Sequence, residues 1–167
     1  MLLLVAAIAG TAGFLSYLAR SNFAATERSG RALLSAPFTD LGGKRQALSN
    51  WSGNVLVVNF WATWCAPCRE EIPTLKKMQK KYVAKRVQFV GIGIDNVSKI
   101  AEYSAEMNID YVLLVGGREV LDLTKELGNR AEVLPFTVIL DRLGKVTYAH
   151  VGVMTEAALD AALLPII

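Results

Sequence analysis

Cysteine and histidine are scarce in this chain of 167 residues, and their scarcity argues against the common structural metal sites. The sequence contains two cysteines, Cys65 and Cys68, and one histidine, His150. A closed zinc site uses four such ligands, usually arranged as two close pairs. The chain supplies only one close pair, so we disfavour zinc. We interpret His150, which lies at the end of a predicted strand, as a surface or edge residue rather than a catalytic one.

An excess of charge of one sign is also missing. Lys and Arg number 18 and Asp and Glu number 15, which leaves a formal net charge of +3. That imbalance is too small to favour nucleic acid as a partner. We interpret the basic residues between 76 and 86 as a solvated helix face rather than a docking site for an acidic partner. The length allows one sizeable core, and we expect a monomer.

The first nineteen residues carry no charged side chain and lack the signals of a processed leader. At about 1.5 Å per helical residue, Met1 to Ala19 can nearly cross a hydrocarbon core of about 30 Å. No basic residue precedes the segment, no clear small-residue cleavage site follows it, and no cysteine is available for a lipid anchor. We therefore expect residues 1–20 to be an uncleaved signal-anchor, with a cleaved signal peptide as the alternative. Residues 21–35 are predicted to be a polar tether, and residues 36–167 the folded domain.

Three arginines that follow the apolar segment conflict with an exported domain. By the positive-inside rule, Arg20, Arg28 and Arg31 favour a cytoplasmic position for the domain. The cysteines favour the opposite side, because both belong to one motif and leave no stray thiol to mispair in an oxidising compartment. We give the cysteines more weight and expect the domain to lie outside the cytoplasmic membrane.

The residues present that carry the most information run from Val55 to Ile72. Val55 to Trp61 is a nearly continuous apolar run, which predicts a strand buried on both faces. Trp64-Cys65-Ala66-Pro67-Cys68 follows and leads into a helical pattern. Residues three apart on a helix share a face, so the two sulfurs can bond or separate with little backbone movement. This spacing predicts a redox-active dithiol.

The start of the helix also assigns different roles to the two cysteines. The unpaired N–H groups and the macrodipole of a helix N-terminus stabilise a thiolate on Cys65. Pro67 suits the first turn, where a missing N–H costs nothing. Cys68, one turn further on, is expected to be more buried and to act as the resolving thiol. A static structural disulfide is disfavoured because a bond that closes so short a loop stabilises the fold only weakly.

The segment FWATWCAPC resembles the active-site segment of the thioredoxin superfamily. Its form is most similar to that of membrane-anchored, extracytoplasmic thiol-disulfide oxidoreductases of the TlpA/ResA type. The resemblance extends from about Ala36 to about Met154 and includes a second signature, Leu134-Pro135-Phe136-Thr137. It implies a thioredoxin-like α/β fold, with a mixed central sheet, helices on both faces and the TlpA-type βα insertion.

The second signature has an implied role in substrate binding. From sequence alone, Pro135 is equally well explained as an ordinary proline at the start of a strand. The resemblance implies instead that Pro135 is cis and lies beside the cysteines. Leu134 and Pro135 would then form one wall of a substrate groove, with Trp64 and Pro67 on the other side.

The remaining elements are predicted from periodicity and turn signals. An apolar stripe at helical spacing follows the cysteines (Ile72, Leu75, Met78, Tyr82, Val83). An edge hairpin is predicted over residues 38–48, and a brief helical turn over 49–54. Further strands are predicted at 87–94, 111–115, 136–140 and 146–151, and helices at 98–108, 119–127 and 156–164.

A proton carrier for Cys68 is missing from its usual place. Thioredoxin has a buried Asp in the strand before its motif, whereas this chain has Asn59, and an amide cannot take up or return a proton near neutral pH. TlpA/ResA-like proteins are expected to use a Glu from another loop, and the best local match is Asp95-Asn96. Asp95 is therefore the sequence-based candidate. Glu70 and Glu71 are expected in the first turn of the helix, where their charges oppose a thiolate.

These features predict thiol-disulfide exchange on protein substrates, in which Cys65 attacks and Cys68 resolves the mixed disulfide. The resemblance suggests reduction of apocytochrome c or copper-site proteins at the bacterial cytoplasmic membrane, with a membrane electron donor and no cofactor. Alternatives are a disulfide-forming oxidant and a copper(I)-handling module, since soft thiolates select that ion. A peroxidase is disfavoured because the spacing P-x-x-x-T/S-x-x-C is missing around Cys65.

Overall fold

The structure is a computed structural model that describes residues 27–167, which form a seven-stranded mixed sheet with helices on both faces. The strands are β1 (Phe38–Asp40), β2 (Arg45–Gln46), β3 (Val55–Trp61), β4 (Val87–Gly93), β5 (Val112–Val115), β6 (Phe136–Leu140) and β7 (Val146–Val151). The helices are α1 (residues 27–35), α2 (Ala66–Tyr82), α3 (Val97–Glu106), α4 (Glu119–Glu126) and α5 (Glu156–Leu163). Short 3-10 turns span Leu48–Trp51 and Val83–Lys85. The predicted thioredoxin-like α/β fold class is confirmed.

The strand order makes β3 an interior strand, so β3 ends between neighbouring strands on both sides. The order is β2-β1-β5-β4-β3-β6-β7, with β3, β4 and β5 parallel to one another. Since parallel strands finish at the same edge, β3, β4 and β5 define what we call the carboxyl end of the sheet. β6 runs antiparallel to β3, with Phe60 opposite Phe136, so β6 begins at that end. The turn from β6 to β7 lies at the opposite end.

Both faces of β3 are buried, as its continuous apolar sequence predicts. Alternate side chains enter two cores, because successive residues of a strand point to opposite faces. Val55, Val57 and Trp61 pack on the side of α2, α3 and α5. Leu56 and Val58 pack on the other side, with buried residues of α1 and α4.

The solvent side of α2 carries the basic residues singled out in the sequence, and several of them pair with neighbouring elements. Lys77 contacts Glu156 at 2.7 Å, Lys81 contacts Asp160 at 2.7 Å, and Lys80 contacts Asp110 at 3.1 Å. The positive charge of this helix is thus partly balanced within the domain.

Residues 27–35 differ from the predicted tether. They form α1, whose Leu33 is fully buried against the sheet. A Cβ atom at Gly30 would overlap the carbonyl oxygen of Gly144, so the helix lies directly on the β6–β7 turn. Residues 27–35 lack the regular apolar spacing that indicates a helix, and they are held in place by burial of Leu33 and by packing of Leu34 against the same core. The folded domain therefore begins before residue 36.

The predicted anchor, residues 1–20, and the start of the predicted tether lie outside the described residues. Among the helices of residues 27–167, none has both the length and the apolar character needed to cross a membrane.

Candidate active site

The two cysteines lie at the carboxyl end of the sheet, where β3 leads into α2. They form a disulfide with their Cα atoms 5.2 Å apart. Cys65 is the N-cap of α2, and its Sγ accepts a hydrogen bond of 3.3 Å from the backbone N–H of Cys68. Pro67 occupies the first turn, as predicted. This geometry places Cys65 at the positive end of the helix, where a thiolate is stabilised.

Cys68 is the more deeply buried of the two sulfur-bearing residues. Its exposed fraction is 1%, compared with 6% for Cys65. The side chain beside them, Trp64, is 67% exposed. An incoming disulfide can therefore reach Cys65 past Trp64, while Cys68 faces the core. The order of accessibility agrees with the roles expected from sequence.

Pro135 lies next to this motif across the sheet. The Leu134–Pro135 peptide bond is cis, as the resemblance implies. Phe136 pairs with Phe60, so one step further Pro135 comes beside Trp61, at the end of β3. The carbonyl oxygen of Pro135 is bonded to the N–H of Gly152 at 2.8 Å. Pro135 is buried and Leu134 is partly buried, whereas the preceding residue, Val133, is exposed. The solvent-accessible part of the expected groove wall is therefore formed by Leu134 and Val133.

A buried carboxylate, Glu71, lies one turn after Cys68 on the inward face of α2. The residue is fully buried, and its two oxygens are held by different parts of the fold. Oε1 accepts a hydrogen bond of 2.7 Å from the backbone N–H of Met154, and Oε2 accepts one of 3.1 Å from Asn59 Nδ2. The same Asn59 nitrogen donates to Thr137 Oγ1 at 3.0 Å. Asn59 thus orients the carboxylate rather than carrying a proton itself.

Burial controls the protonation of Glu71. Loss of solvation raises its pKa from 4.5 to about 7, although the hydrogen bonds from Met154 and Asn59 act in the opposite direction. A general acid or base works best with a pKa near the operating pH. Side chains three residues apart on a helix are neighbours, with Cβ atoms about 5–6 Å apart, so Glu71 is a neighbour of Cys68. Burial, position on the helix and a pKa near 7 together make Glu71 the candidate proton carrier on the buried side of the dithiol.

Glu71 was not among the site residues expected from the sequence, where it was grouped with Glu70 as a charge that opposes a thiolate. The signal was present in the spacing of the helix. Position 71 belongs to the same stripe as the apolar residues at 68, 72 and 75, all of which are buried. A charged residue inside an apolar stripe predicts either a partnered carboxylate or a functional one, and this criterion would have separated Glu71 from the exposed Glu70.

Asp95, the candidate proposed from sequence, has surroundings that suit a different role. Burial alone would raise its pKa, but hydrogen bonds from Thr63 and Asn96 and the charge of Lys99 together bring it below the ordinary value. An acid with a lowered pKa remains ionised near neutral pH and is a poor proton carrier. Glu71 has the better environment for that chemistry.

His150 does not join the cysteines. It lies on β7, pairs with Thr137 across the sheet, and stacks on Tyr148 with ring centroids 6.2 Å apart. Within residues 27–167, no three His, Cys, Asp or Glu side chains converge as a metal site.

A thioredoxin-like sheet whose central strand delivers a Cys-x-x-Cys pair to a helix N-terminus, beside a cis-proline, defines a thiol-disulfide oxidoreductase. Comparison with known proteins agrees with this class. The Redoxin family model matches residues 26–163, and the chain belongs to the Redoxin family.

Relatives with related names cover most of the chain. It is 33% identical over 121 residues to the thiol-disulfide oxidoreductase ResA of Bacillus subtilis (strain 168), covering 71% of this chain and 64% of ResA. It is 26% identical over 159 residues to ResA of Bacillus thuringiensis (strain Al Hakam), covering 93% and 88%. Among solved structures, the thioredoxin-related protein from Neisseria meningitidis serogroup B has 30% identity and a TM-score of 0.68, covering 77% of this chain and 96% of that one.

Proposed function

We propose that the protein reduces disulfide bonds in other proteins, outside the cytoplasmic membrane, through the Cys65–Cys68 dithiol. The observation that carries this proposal is the geometry at the start of α2. Cys65 caps the helix, Cys68 lies beneath it, and the buried Glu71 follows on the same face. A nucleophile, a resolving thiol and a proton carrier are thereby aligned along one helix.

The reaction uses two successive exchanges and transfers two electrons to the substrate. The Cys65 thiolate attacks one sulfur of the substrate disulfide, and the other substrate sulfur leaves as a thiolate and takes up a proton. The Glu71 carboxylate accepts the proton of the Cys68 thiol. The Cys68 thiolate then attacks the Cys65 sulfur of the mixed disulfide, and the second substrate sulfur leaves as a thiolate that takes up a proton from water. The Cys65–Cys68 disulfide remains, and Glu71 returns its proton to the solvent.

Site and sequence also support the partners that we propose. The exposed Trp64 and the wall formed by Leu134 and Pro135 flank Cys65 and would hold an extended segment of a protein substrate. The apolar residues 1–20 would tether the domain to the bacterial cytoplasmic membrane, where a membrane electron donor would regenerate the dithiol. Apocytochrome c and copper-site proteins are the substrate classes that we propose to test first.

A trapping experiment tests the substrate class. In Cys68→Ser the mixed disulfide cannot be resolved, so protein substrates should accumulate as adducts of Cys65 that dithiothreitol releases. The matched control is Cys65→Ser, which keeps one thiol of the pair but lacks the nucleophile. If both variants capture the same proteins in equal amounts, or if neither captures any, the proposed reaction on protein disulfides is wrong.

The reduction potential tests the direction of electron flow. A strong oxidant needs a highly stabilised thiolate, but Ala66 and Pro67 bring no charge and no side-chain donor to Cys65, which leaves the helix N-terminus and the charge of Arg69 to favour it. We expect a potential nearer the roughly −270 mV of thioredoxin than the roughly −120 mV of DsbA. Equilibration with a dithiothreitol or glutathione buffer measures it. A potential above about −180 mV would overturn the reductase proposal and favour a disulfide-forming oxidant.

A further inference from the structure

The short segment between β3 and α2 determines where the nucleophile points. The backbone N–H of Cys65 donates to the carbonyl of Ala62 at 3.2 Å, which closes a tight turn. Thr63 and Trp64 are the two central residues of that turn. Their conformation therefore sets the direction of both the exposed Trp64 ring and the Cys65 side chain.

Asp95 meets this turn from the neighbouring strand. β4 remains bonded to β3 up to Ile94, whose N–H donates to the carbonyl of Trp61 at 2.8 Å. Directly after this bond, the hydroxyl of Thr63 donates to Oδ2 of Asp95. The side chain of Asp95 is 9% exposed, so the contact is partly shielded from water.

The carboxylate is itself held from its other side, at the start of α3. Its Oδ1 accepts a hydrogen bond of 2.7 Å from the backbone N–H of Asn96, and Lys99 approaches the same oxygen at 3.9 Å. Asn96 in turn caps α3 by accepting from Ser98 at 2.8 Å. The Thr63 hydroxyl is thus bonded to a group that the fold has already fixed.

From these contacts we infer that Asp95 and Thr63 are positioning residues, which hold the Ala62–Cys65 turn in the conformation that presents Cys65 for attack. The inference deepens the proposed function and rests on it. A hydrogen bond to an ionised carboxylate is about twice as strong as one between neutral groups, so this contact adds substantially to the backbone bond that closes the turn. The turn is then ordered before a substrate arrives, and the attack loses less entropy.

Two substitutions at Thr63 separate the hydroxyl from the shape of the side chain. Thr63→Val keeps the branched shape and removes the donor, whereas Thr63→Ser keeps the donor. In the reduced full-length protein, we expect Thr63→Val to slow alkylation of Cys65 by iodoacetamide, and exchange with glutathione disulfide, by about threefold to tenfold. Thr63→Ser should react like the parent, and Asp122→Ala, which removes an exposed carboxylate of α4, should do so as well.

A double-mutant cycle tests whether Thr63 acts through Asp95. In an Asp95→Ala background, Thr63→Val should change neither rate further, because its partner is already gone. The thermal unfolding midpoint of each variant, measured in parallel, identifies any loss of rate that comes from loss of folded protein.

Three results would overturn the inference: parent rates in Thr63→Val, equal slowing in Thr63→Val and Thr63→Ser, or independent effects of Thr63→Val and Asp95→Ala. Alkylation needs no protein substrate, so its outcome is separate from that of the trapping experiment. A protein that fails to exchange with protein disulfides would refute the proposed function and leave this measurement intact.

Discussion

The charge state of one buried residue, Glu71, couples the chemistry of the site to the stability of the fold. Its pKa is raised by burial to about 7 in the folded protein, whereas an unfolded Glu titrates near 4.5. Between these values the folded state binds more protons than the unfolded state. Stability contributed by protonated Glu71 is therefore complete at low pH and is lost as the pH rises from about 4.5 to about 7.

Glu71→Gln should remove this dependence. We expect the free energy of unfolding of the parent, relative to the variant, to fall by about 3 kcal/mol across that range, because each pKa unit corresponds to about 1.4 kcal/mol. Urea unfolding at pH 4.5, 6 and 8 measures the difference. A parallel pH dependence in parent and variant would mean that Glu71 titrates normally and cannot serve as the proton carrier.

Glu71→Gln should also slow the step that depends on Cys68. Without a carboxylate the Cys68 thiol must lose its proton to water, so a mixed disulfide of Cys65 with a small thiol should persist longer. We expect the release of that thiol to slow by about a hundredfold at pH 7, the lower end of the range for general bases. Glu70→Gln, on the exposed side of the same turn, is the matched control and should resolve at the parent rate.

Tyr111 is a second single residue whose substitution tests the stability of the fold. Its hydroxyl is buried and has no hydrogen-bond partner among residues 27–167. Burial, with the nearby charges of Glu71 and Asp110, raises its pKa, so the group remains neutral. Tyr111→Phe removes a desolvated polar atom and should leave the free energy of unfolding unchanged or raise it by about 1 kcal/mol.

The control for this substitution is Tyr82→Phe. The hydroxyl of Tyr82 donates to Asp160 at 2.6 Å, so its removal should cost about 1 kcal/mol or more. A loss in Tyr111→Phe as large as that in Tyr82→Phe would show that the Tyr111 hydroxyl is hydrogen-bonded in solution.

At the scale of elements, α1 is the helix that the sequence did not predict. Leu33→Ala should lower the free energy of unfolding by about 2 to 4 kcal/mol, because the side chain is fully buried beneath the helix. Leu143→Ala, at a position that is 92% exposed, should change it by less than about 0.5 kcal/mol. Equal effects of the two substitutions would restore the view that residues 27–35 are a tether.

The elements that were predicted correctly are those whose sequence carries a strong local signal. β3 and β6 have the bounds expected from their apolar runs, and β7 also has its expected bounds. α3 differs from its prediction by one residue at its start and two at its end. The described part of α1 contains few apolar residues, and its position depends on Leu33, on Leu34 and on the contact of Gly30 with Gly144, so its composition resembles that of a linker. Local periodicity predicts elements, whereas the docking of a short helix depends on contacts with distant residues such as Gly144.

The site residues divide in the same way, into those with a local sequence signal and those that depend on distant contacts. The cysteines and Pro135 belong to contiguous motifs and were predicted as candidates, whereas the two partners of Glu71, Asn59 and Met154, and Thr137, which Asn59 also contacts, come from three separate segments. Asn59, Thr137 and Met154 meet only when β3, β6 and the segment after β7 pack against α2. Burial, which raises the pKa of Glu71, is a property of the assembled fold. The spacing of α2 therefore singles out position 71, but the partners and the raised pKa of Glu71 could not be derived from its neighbours in sequence.

At the scale of the whole molecule, the start of the described chain and the cysteines lie at opposite ends of the sheet. Ser29 donates to the carbonyl of Glu126, at the end of α4, and Gly30 lies against the β6–β7 turn. α4 follows β5 and runs back from the carboxyl end, and the β6–β7 turn lies beyond Leu140, opposite Leu56 near the start of β3. The seven residues of β3, at about 3.3 Å each, separate the two ends by roughly 23 Å.

If residues 1–20 anchor the protein, this arrangement directs the dithiol away from the bilayer. We expect a bulky maleimide-polyethylene glycol to label reduced Cys65 in the membrane-bound protein as fast as in the same protein released by detergent. In a Cys65→Ser, Cys68→Ser background, a cysteine introduced by Leu143→Cys reports on the opposite end. Its labelling should be slowed by the membrane and restored by detergent, since the bilayer and its headgroups would crowd that end. The reverse pattern, with Cys65 shielded and position 143 free, would mean that the domain turns its active site toward the membrane and would favour exchange with a membrane-embedded partner over exchange with soluble proteins.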